Sequence, residues 1–423
     1  MLINNNLGSK TGLALCLVMA MVGCNDSNKS SAGADYNTGI LDNTDDKNDD
    51  PHDFDQKKLL ADLSQYVLLP AVQGFEQASQ TLLTASTDYC QSIELNKEDT
   101  DTHRQAAQQA WIYAMNQWQQ LEVMQVGPLA DNDGKLRNAL YSWPVTSQCA
   151  VDQDVGHFEN GTINGSAYDI TKRTATRRGL DAAEYLLFTD NQNHACSSDN
   201  LAPNGWNSRS DQERLLARCK FSVELASDIL NSAKELTAAW TLEQSGFQSV
   251  LNQAGETDNR FETAKAAINH ITDAMFYIDS TTKDAKLAKP IGLTQANSCG
   301  NAACIDDIES ELSDNAINNV NANLVALQSI FLGAPVGTDA VGFDDYLVAV
   351  DQAVLAATMA NDIQAAIAAT EAFSGTMTDA VSTSPDKVQT LHQAVKLVTD
   401  NMKSMFITYL SLELPLTSAG DAD

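Results

Sequence analysis

The sequence predicts an all-α protein with two helical-bundle domains, of about four helices each, packed together. Three observations predict this class. Apolar residues recur at helical spacing from about residue 55 to 414, alternating strand patterns are scarce, and four helical segments precede position 250 while four follow it. No residue-level repeat proves a duplication of the two halves, so a pseudo-duplicated origin stays open. The predicted helices span 55–86, 102–126, 172–188, 208–240, 257–280, 304–332, 341–371 and 384–412.

The first residues have the features of an export signal. A basic start is followed by the apolar run Leu13–Val22, which is too short to span a membrane, and then by Gly23 and Cys24. This ending looks like the lipobox of bacterial lipoproteins, so we expect residues 1–23 to be a signal peptide and Cys24 to carry the lipid. A soluble secreted protein with an incidental Cys24 is the alternative. The predicted location is the bacterial cell envelope, lipid-anchored at the outer membrane on either its periplasmic or its surface side.

Composition divides the mature chain further. Residues 24–54 are polar and acidic, which predicts a disordered tether that cannot bury enough apolar surface to fold. An N-terminal bundle over 55–250 with a long loop at 127–168 follows, then a C-terminal bundle over 251–414 and a flexible tail over 415–423. The chain has 56 acidic and 26 basic residues, for a formal charge of −30. No basic stripe offsets that charge, which excludes nucleic acid as a partner.

Six cysteines remain in the mature chain besides Cys24, an even set that indicates disulfides in an exported protein. Cys299 and Cys304 are the easiest pair to close because only four residues separate them. A structural zinc site is a weaker interpretation, since no second cluster has metal-ligand spacing. The other two predicted pairs, among fifteen possible connectivities, are Cys90 with Cys149 and Cys196 with Cys219.

Two carboxylates stand three residues apart in a run that otherwise predicts a buried helix, Arg177 to Phe188. On a helix, Asp181 and Glu184 lie on one face, separated by about 60°. Burial of two carboxylates is unfavourable unless a cation, a metal or hydrogen bonds compensate them. One candidate partner is Arg177, four residues before Asp181, in an intrahelical ion pair of about 0.2–0.5 kcal/mol. The other is a ligand.

Several stretches in this order resemble the imelysin-like family, also described as insulin-cleaving or iron-regulated bacterial surface proteins. The resemblance extends from about Leu59 to Leu414. Its pieces are Tyr66–Pro70, Ala110–Trp118, Gly127–Pro128, Tyr141–Pro144, Arg178–Phe188, Lys286–Gly292 and Ile308–Gly333.

The family's hallmark is Gly-x-His-x-x-Glu, where Gly179 and Glu184 match and Asp181 takes the place of the histidine. The resemblance implies a ligand or metal site. The change to an all-oxygen pair either favours iron or another oxygen-preferring cation, or removes metal binding altogether. Glu309 is the further ligand candidate and Glu122 a weaker one. The supporting residues are Arg177, Gly179 and Trp143, the last as an aromatic that pins the loop.

The resemblance implies a lipid-anchored binding or accessory protein of iron uptake, with the membrane and iron-uptake proteins as partners. One alternative is a metallopeptidase, although neither His-Glu-x-x-His nor Gly-x-Ser-x-Gly is present in the sequence. Another is a non-catalytic surface protein whose motif helix is purely structural. No catalytic residue is predicted, and the identity of the cofactor stays open.

Overall fold

The computed structural model describes residues 54–203, 205–243, 245–293 and 297–415. The predicted signal peptide, the lipidation residue Cys24, nearly all of the acidic tether and nearly all of the tail therefore lie outside the described residues. Within them, no helix is both long enough and apolar enough to cross a membrane.

Helices dominate the structure, which confirms the predicted all-α class. The helices up to residue 252 are α1 (Gln56–Asp62), α2 (Leu69–Glu94), α3 (Thr100–Glu122), α4 (Asp131–Leu140), α5 (Gln148–Glu159), α6 (Gly179–Phe188), α7 (Asp211–Thr241) and α8 (Phe247–Asn252). Those that follow are α9 (Ala264–Met275), α10 (Ala316–Phe331), α11 (Phe343–Ala349), α12 (Ala353–Glu371), α13 (Met377–Thr383), α14 (Pro385–Asn401) and α15 (Ile407–Tyr409). π-Helical segments occupy Leu63–Leu68, Ile278–Ala288 and Met402–Phe406.

Shorter elements complete the path of the chain. Single 3-10 turns occupy Gly127–Leu129, Ile170–Lys172, Ala175–Arg177, Asp199–Leu201, Trp206–Ser208, Lys289–Ile291 and Ile305–Asp307. The strands β1 (Thr162–Ile163) and β2 (Ser166–Ala167) form one small antiparallel hairpin, with Thr162 opposite Ala167.

Two groups of helices meet along α3 and α10. In the first group α2 packs against both α3 and α7, and α6 packs against α3 and α7. In the second group α12 lies between α10 and α14, and the π segment Ile278–Ala288 contacts both α10 and α14. Trp111 and Trp118 of α3 are fully buried in the core that these contacts create. The proposed domain boundary near residue 250 stays a prediction.

Predicted element boundaries are wrong where the backbone is locally irregular. The 127–168 stretch is not one long loop, because it contains α4, α5 and the hairpin. Asn132, Asp133 and Gly134 adopt successive left-handed conformations, and that irregularity interrupts the helical pattern. The helix predicted from residue 304 begins only at Ala316, since Ser310 also has a positive φ of 50°. Glu309 therefore lies in an irregular segment and not on a helix.

The disulfides confirm one predicted pair and correct two. Cys299 is bonded to Cys304, as predicted. Cys90 is bonded to Cys219, because α2 packs against α7 and brings their Cα atoms to 5.3 Å. Cys149 is bonded to Cys196, with a Cα separation of 4.5 Å. The predicted Cys90–Cys149 and Cys196–Cys219 pairs are wrong, since connectivity follows helix packing and not proximity in sequence.

Candidate carboxylate site

Helix α6 starts at a glycine because no other residue fits there. Gly179 has φ +83°, and a Cβ at this position would lie 2.6 Å from the backbone oxygen of Leu140. The start of α6 is thereby pressed against the end of α4. At the second residue of α6, the Leu180 carbonyl accepts a hydrogen bond of 2.8 Å from Trp111 Nε1 of α3. These two contacts fix the position and rotation of the helix that carries the paired carboxylates.

Asp181 and Glu184 are both buried, with 8% and 7% of their surfaces exposed. Asp181 Oδ2 accepts a hydrogen bond of 2.8 Å from the backbone N–H of Ser142, just after α4. Glu184 Oε1 accepts two from Ser313, 2.9 Å from the backbone N–H and 2.7 Å from the hydroxyl. Neutral donors thus hold one oxygen of each carboxylate.

The arginine expected to compensate Asp181 does not do so. Arg177 Nη1 lies 3.0 Å from Asp154 Oδ1, and Arg173 binds the same carboxylate. Residues 175–177 form a separate 3-10 turn and α6 begins only at Gly179, so Arg177 is not one helical turn before Asp181. The intrahelical Arg177–Asp181 ion pair is therefore wrong. Trp143 is partly buried and packs against the core, next to Ser142, and its supporting role stays a prediction.

The paired carboxylates differ from the other buried carboxylates in one respect. Among the described residues, ten Asp and Glu side chains are at least nine-tenths buried, and eight of them form an ion pair. The eight carboxylates and their partners are Asp62 with Lys58, Asp152 with Arg218, Asp154 with Arg173 and Arg177, Asp228 with Arg178, Asp279 with Lys283, Asp307 with Lys289, and Glu122 and Glu309 with Lys286. In the same part of the chain neither Asp181 nor Glu184 has a Lys or Arg partner.

Glu309 lies close enough to raise the pKa of both carboxylates, but its own surroundings are different. Its side chain is 1% exposed, and Oε1 lies 3.1 Å from Lys286 Nζ. The same oxygen accepts hydrogen bonds from Tyr141 and Gln119, while Oε2 accepts one of 2.9 Å from Asn319. Glu122 Oε2 lies 2.8 Å from the same Lys286 Nζ. The charge of Glu309 is thus already compensated.

Burial is the main cause of the unusual proton affinity of the pair. Burial, together with the charges of Glu184 and Glu309 and against the opposing Ser142 hydrogen bond, raises the pKa of Asp181 to about 8. Burial likewise raises the pKa of Glu184 to about 7, against the hydrogen bonds from Ser313. Burial also raises the pKa of Tyr141, with Glu309 and Asp181 contributing. The charge of Glu309, which is paired with Lys286, therefore influences the proton affinity of both α6 carboxylates.

The chemistry of the donors fits a cation at Asp181 and Glu184 better than at Glu309. Both α6 carboxylates are buried without a cationic partner, and carboxylate oxygens are the ligands that hard cations prefer. Their oxygens and those of Glu309 do not form a set of three within 4.8 Å of one another. In the described parts of the chain that spacing occurs at Cys299, Cys304 and Asp306, where the two cysteines are disulfide-bonded.

Sequence analysis missed the residues that surround the predicted carboxylates. Ser142 and Ser313 supply the donors, and Lys286 neutralises Glu309. Lys286 belongs to one of the stretches that carry the family resemblance, which was the available signal. Its burial could not be recognised, because a lysine on an amphipathic segment ordinarily reaches solvent.

Known proteins support the resemblance found in the sequence. The sequence model of the Imelysin family (Peptidase M75) matches residues 68–405. Iron-regulated protein A of Synechococcus elongatus (strain ATCC 33912 / PCC 7942 / FACHB-805) is 27% identical over 236 residues, which are 55% of this chain and 54% of that protein. The match thus spans about half the length of this relative.

Two solved structures share the fold. A protein from Parabacteroides distasonis ATCC 8503, described as an iron-regulated protein A precursor, superposes with a TM-score of 0.62 at 16% identity, over 86% of this chain and 96% of that one. An imelysin-like protein from Psychrobacter arcticum 273-4 gives a TM-score of 0.55 at 14% identity, over 85% and 96%. At these identities the likeness concerns the fold alone. The family match over most of the chain establishes that this protein belongs to the Imelysin family.

Proposed function

We propose that this protein is an extracytoplasmic, iron-associated binding or accessory protein, anchored through a lipid on Cys24, in which Asp181 and Glu184 bind the ligand. The iron association comes from the relative named iron-regulated protein A. The anchor and the envelope location come from the lipobox-like ending at Gly23 and Cys24. Iron-uptake proteins of the same envelope are the proposed partners.

The observation that carries the proposal is the missing counter-charge at Asp181 and Glu184. Eight other buried carboxylates have a cationic partner within the described residues, so the interior otherwise follows the rule that buried charges are paired. A cation between the two α6 side chains would satisfy that rule. Iron or another oxygen-preferring cation matches the all-oxygen donor set.

The protein's own residues would hold the carboxylates in place for such a ligand. The Ser142 N–H fixes one oxygen of Asp181, and Ser313 fixes one oxygen of Glu184 with two donors. In the sequence, Ser142 precedes α6 and Ser313 follows it, so the two donors belong to segments on either side of the motif helix in the chain. A pair held in this way needs little reorganisation when a cation replaces its protons.

Calorimetric titration tests the proposal. The protein is titrated separately with ferric citrate, ferrous iron, calcium, zinc and haem, alongside the isosteric double variant Asp181→Asn/Glu184→Gln. The matched control makes the same two chemical changes at exposed helix positions, Glu371→Gln and Asp386→Asn. We expect saturable binding of at least one ligand by the wild type and the control, and none by the double variant. Absence of binding by the wild type, or unchanged binding by the double variant, would overturn the site.

Peptidase activity is the second candidate, favoured by two carboxyl groups whose pKa values of about 8 and 7 lie near neutral pH. General acid–base catalysis works best at such values. Chelator-sensitive cleavage of an unstructured peptide such as reduced insulin B chain, lost in Glu184→Gln, would support it. No cleavage at any pH from 5 to about 9 would reject it. If both ligand binding and cleavage are absent, the motif helix is structural.

A further inference from the structure

The ammonium group of Lys286 lies inside a ring of four oxygen atoms. Glu122 Oε2 is 2.8 Å from Nζ, Asn323 Oδ1 is 3.0 Å and Glu309 Oε1 is 3.1 Å, and Gln119 Oε1 accepts a hydrogen bond from the same group. The lysine side chain is 1% exposed. We call Glu122, Asn323, Glu309 and Gln119, together with the position that the Lys286 Nζ occupies between them, the lysine compartment.

The donor set of the lysine compartment is that of a hard-cation site. Two carboxylates and two carboxamide oxygens surround one positive charge, and oxygens of these types coordinate calcium, manganese and related ions. Here the positive charge belongs to a side chain of the protein itself, Lys286. Tyr277 adds to this environment, since its ring centroid lies 5.5 Å from Nζ. Lys286 thus occupies the position that a free cation would otherwise take.

Two adjacent residues join the lysine compartment to the α6 pair. The Tyr141 hydroxyl donates a hydrogen bond to Glu309, and the backbone N–H of the next residue, Ser142, donates one to Asp181. Glu309 also raises the pKa of both Asp181 and Glu184 through its charge. The four buried carboxylates therefore belong to one polar region, with a resident cation on one side and none on the other.

We propose that Lys286 is a built-in counter-cation that closes the Glu122/Glu309 side to metal ions and confines cation binding to Asp181 and Glu184. Lys286 is then a specificity-determining residue that limits the protein to one bound cation. This inference rests on the proposed function for the position of that one cation. Removal of the ammonium alone should open a second site, because its four oxygens would remain without a positive charge among them.

Lys286→Met is the test, since methionine keeps the unbranched stem but lacks the terminal ammonium. The full chain is dialysed against Mn²⁺, and bound manganese is counted by elemental analysis. We expect about one ion per chain in the wild type and about two in Lys286→Met. Without a divalent ion, the variant should have a lower Tm, because a buried pair that loses one partner is strongly destabilised. Millimolar Mn²⁺ should raise the Tm of the variant more than that of the wild type.

Lys283→Met is the matched control, as Lys283 is a fully buried lysine three residues earlier on the same π segment. Lys283 forms ion pairs with Asp279 and Asp284. Asp279 keeps a second cation, Lys403 Nζ at 3.4 Å, and Asp284 is 27% exposed to water, so we expect no additional manganese. If Lys286→Met does not fold in chelator, its refolding yield is compared with and without Mn²⁺. The polar variant Lys286→Gln is then used for the manganese count and the Tm measurements.

The outcomes separate the two proposals. Equal manganese in the wild type and Lys286→Met overturns the role of Lys286, whatever the wild type binds. No ion in the wild type and about one in the variant would overturn Mn²⁺ binding at Asp181 and Glu184 while supporting the counter-cation role of Lys286. A second ion that also appears in Lys283→Met would show a general effect of removing buried lysines, and would overturn the assignment to the lysine compartment.

Discussion

Glu184 on α6 accepts hydrogen bonds from both the backbone N–H and the hydroxyl of Ser313, a residue 129 positions later in the chain. The donors lie 2.9 Å and 2.7 Å from the same carboxylate oxygen. Ser313 stands in the irregular segment between Glu309 and α10. The contact therefore ties the motif helix to the segment that carries the second set of buried carboxylates.

Replacement of Ser313 by alanine should weaken this tie without breaking it. The hydroxyl donor is lost while the backbone donor remains, so we expect the free energy of unfolding in urea to fall by about 1–2 kcal/mol. Ser382→Ala is the control, because that hydroxyl is exposed and donates to the Thr378 carbonyl in the preceding turn of its own helix. Equal effects of the two substitutions would show that the Ser313 hydroxyl does not stabilise Glu184.

The fold class and the motif helix could be predicted from the sequence, but the ion-pair partners of the buried carboxylates could not. Helical periodicity was sufficient for the all-α class, and Asp181 and Glu184 do lie together on a buried helix face. The start of α10 was misplaced because left-handed residues such as Ser310 follow from tertiary constraints and not from apolar spacing. A local ion-pair rule likewise assigned Arg177 to Asp181, whereas its partner Asp154 lies on α5.

Disulfides and ion pairs between residues distant in sequence could not be predicted for the same reason. The Cys90–Cys219 bond depends on how α2 packs against α7, which no single-helix pattern determines. Lys286 and Glu122 meet only because the π segment faces α3 and α10 across the core. The charge balance of the buried carboxylates therefore depends on partners from both halves of the chain.

Stability should depend on pH through the α6 pair. Burial raises the pKa of Asp181 to about 8 and that of Glu184 to about 7, so the metal-free folded protein holds protons that the unfolded chain releases near pH 4. Because the folded state binds more protons in this interval, its stability falls as pH rises from about 4 to about 8. The slope should level off above that range.

The Asp181→Asn/Glu184→Gln variant tests this dependence. Its amide side chains do not titrate, so its Tm should fall less steeply between about pH 5 and pH 8 than the Tm of the wild type in chelator. Asp273 and Asp344, whose pKa values burial raises to about 6, keep their contribution in both proteins. Parallel Tm profiles for the two proteins would contradict the raised pKa values of the pair.

Gly179→Ala should be among the most damaging alanine substitutions in the chain. The new Cβ would lie 2.6 Å from the Leu140 carbonyl oxygen, at a residue with φ +83°. Backbone strain and the clash together should lower the free energy of unfolding by about 3 kcal/mol and weaken ligand binding at Asp181. Gly161→Ala has a similar φ of +65° but no atom within 4 Å of the added Cβ. It should cost about 1 kcal/mol, and an equal loss at both sites would exclude a specific role for the α4–α6 contact.

Arg178 and Arg260 provide a comparison between a buried and an exposed arginine–aspartate pair, each held by two hydrogen bonds. Arg178 binds Asp228 through two hydrogen bonds of 2.9 Å and 2.7 Å, just before α6, and the two side chains are 9% and 3% exposed. Arg260 binds Asp131 through two of 3.0 Å and 2.8 Å, with exposures of 40% and 41%. Arg178→Met should lower the free energy of unfolding by about 3–5 kcal/mol, because Asp228 would be left buried and unpaired.

Arg260→Met should cost no more than about 1 kcal/mol, because water compensates an exposed Asp131. The double variant Arg178→Met/Asp228→Leu distinguishes charge from packing. If the unpaired Asp228 causes the loss, removal of both charges should restore most of the stability measured in urea. If the double variant is as unstable as Arg178→Met, then the arginine acts through its packing against the start of α6. In that case we also expect weaker ligand binding at Asp181 in both variants than in the wild type.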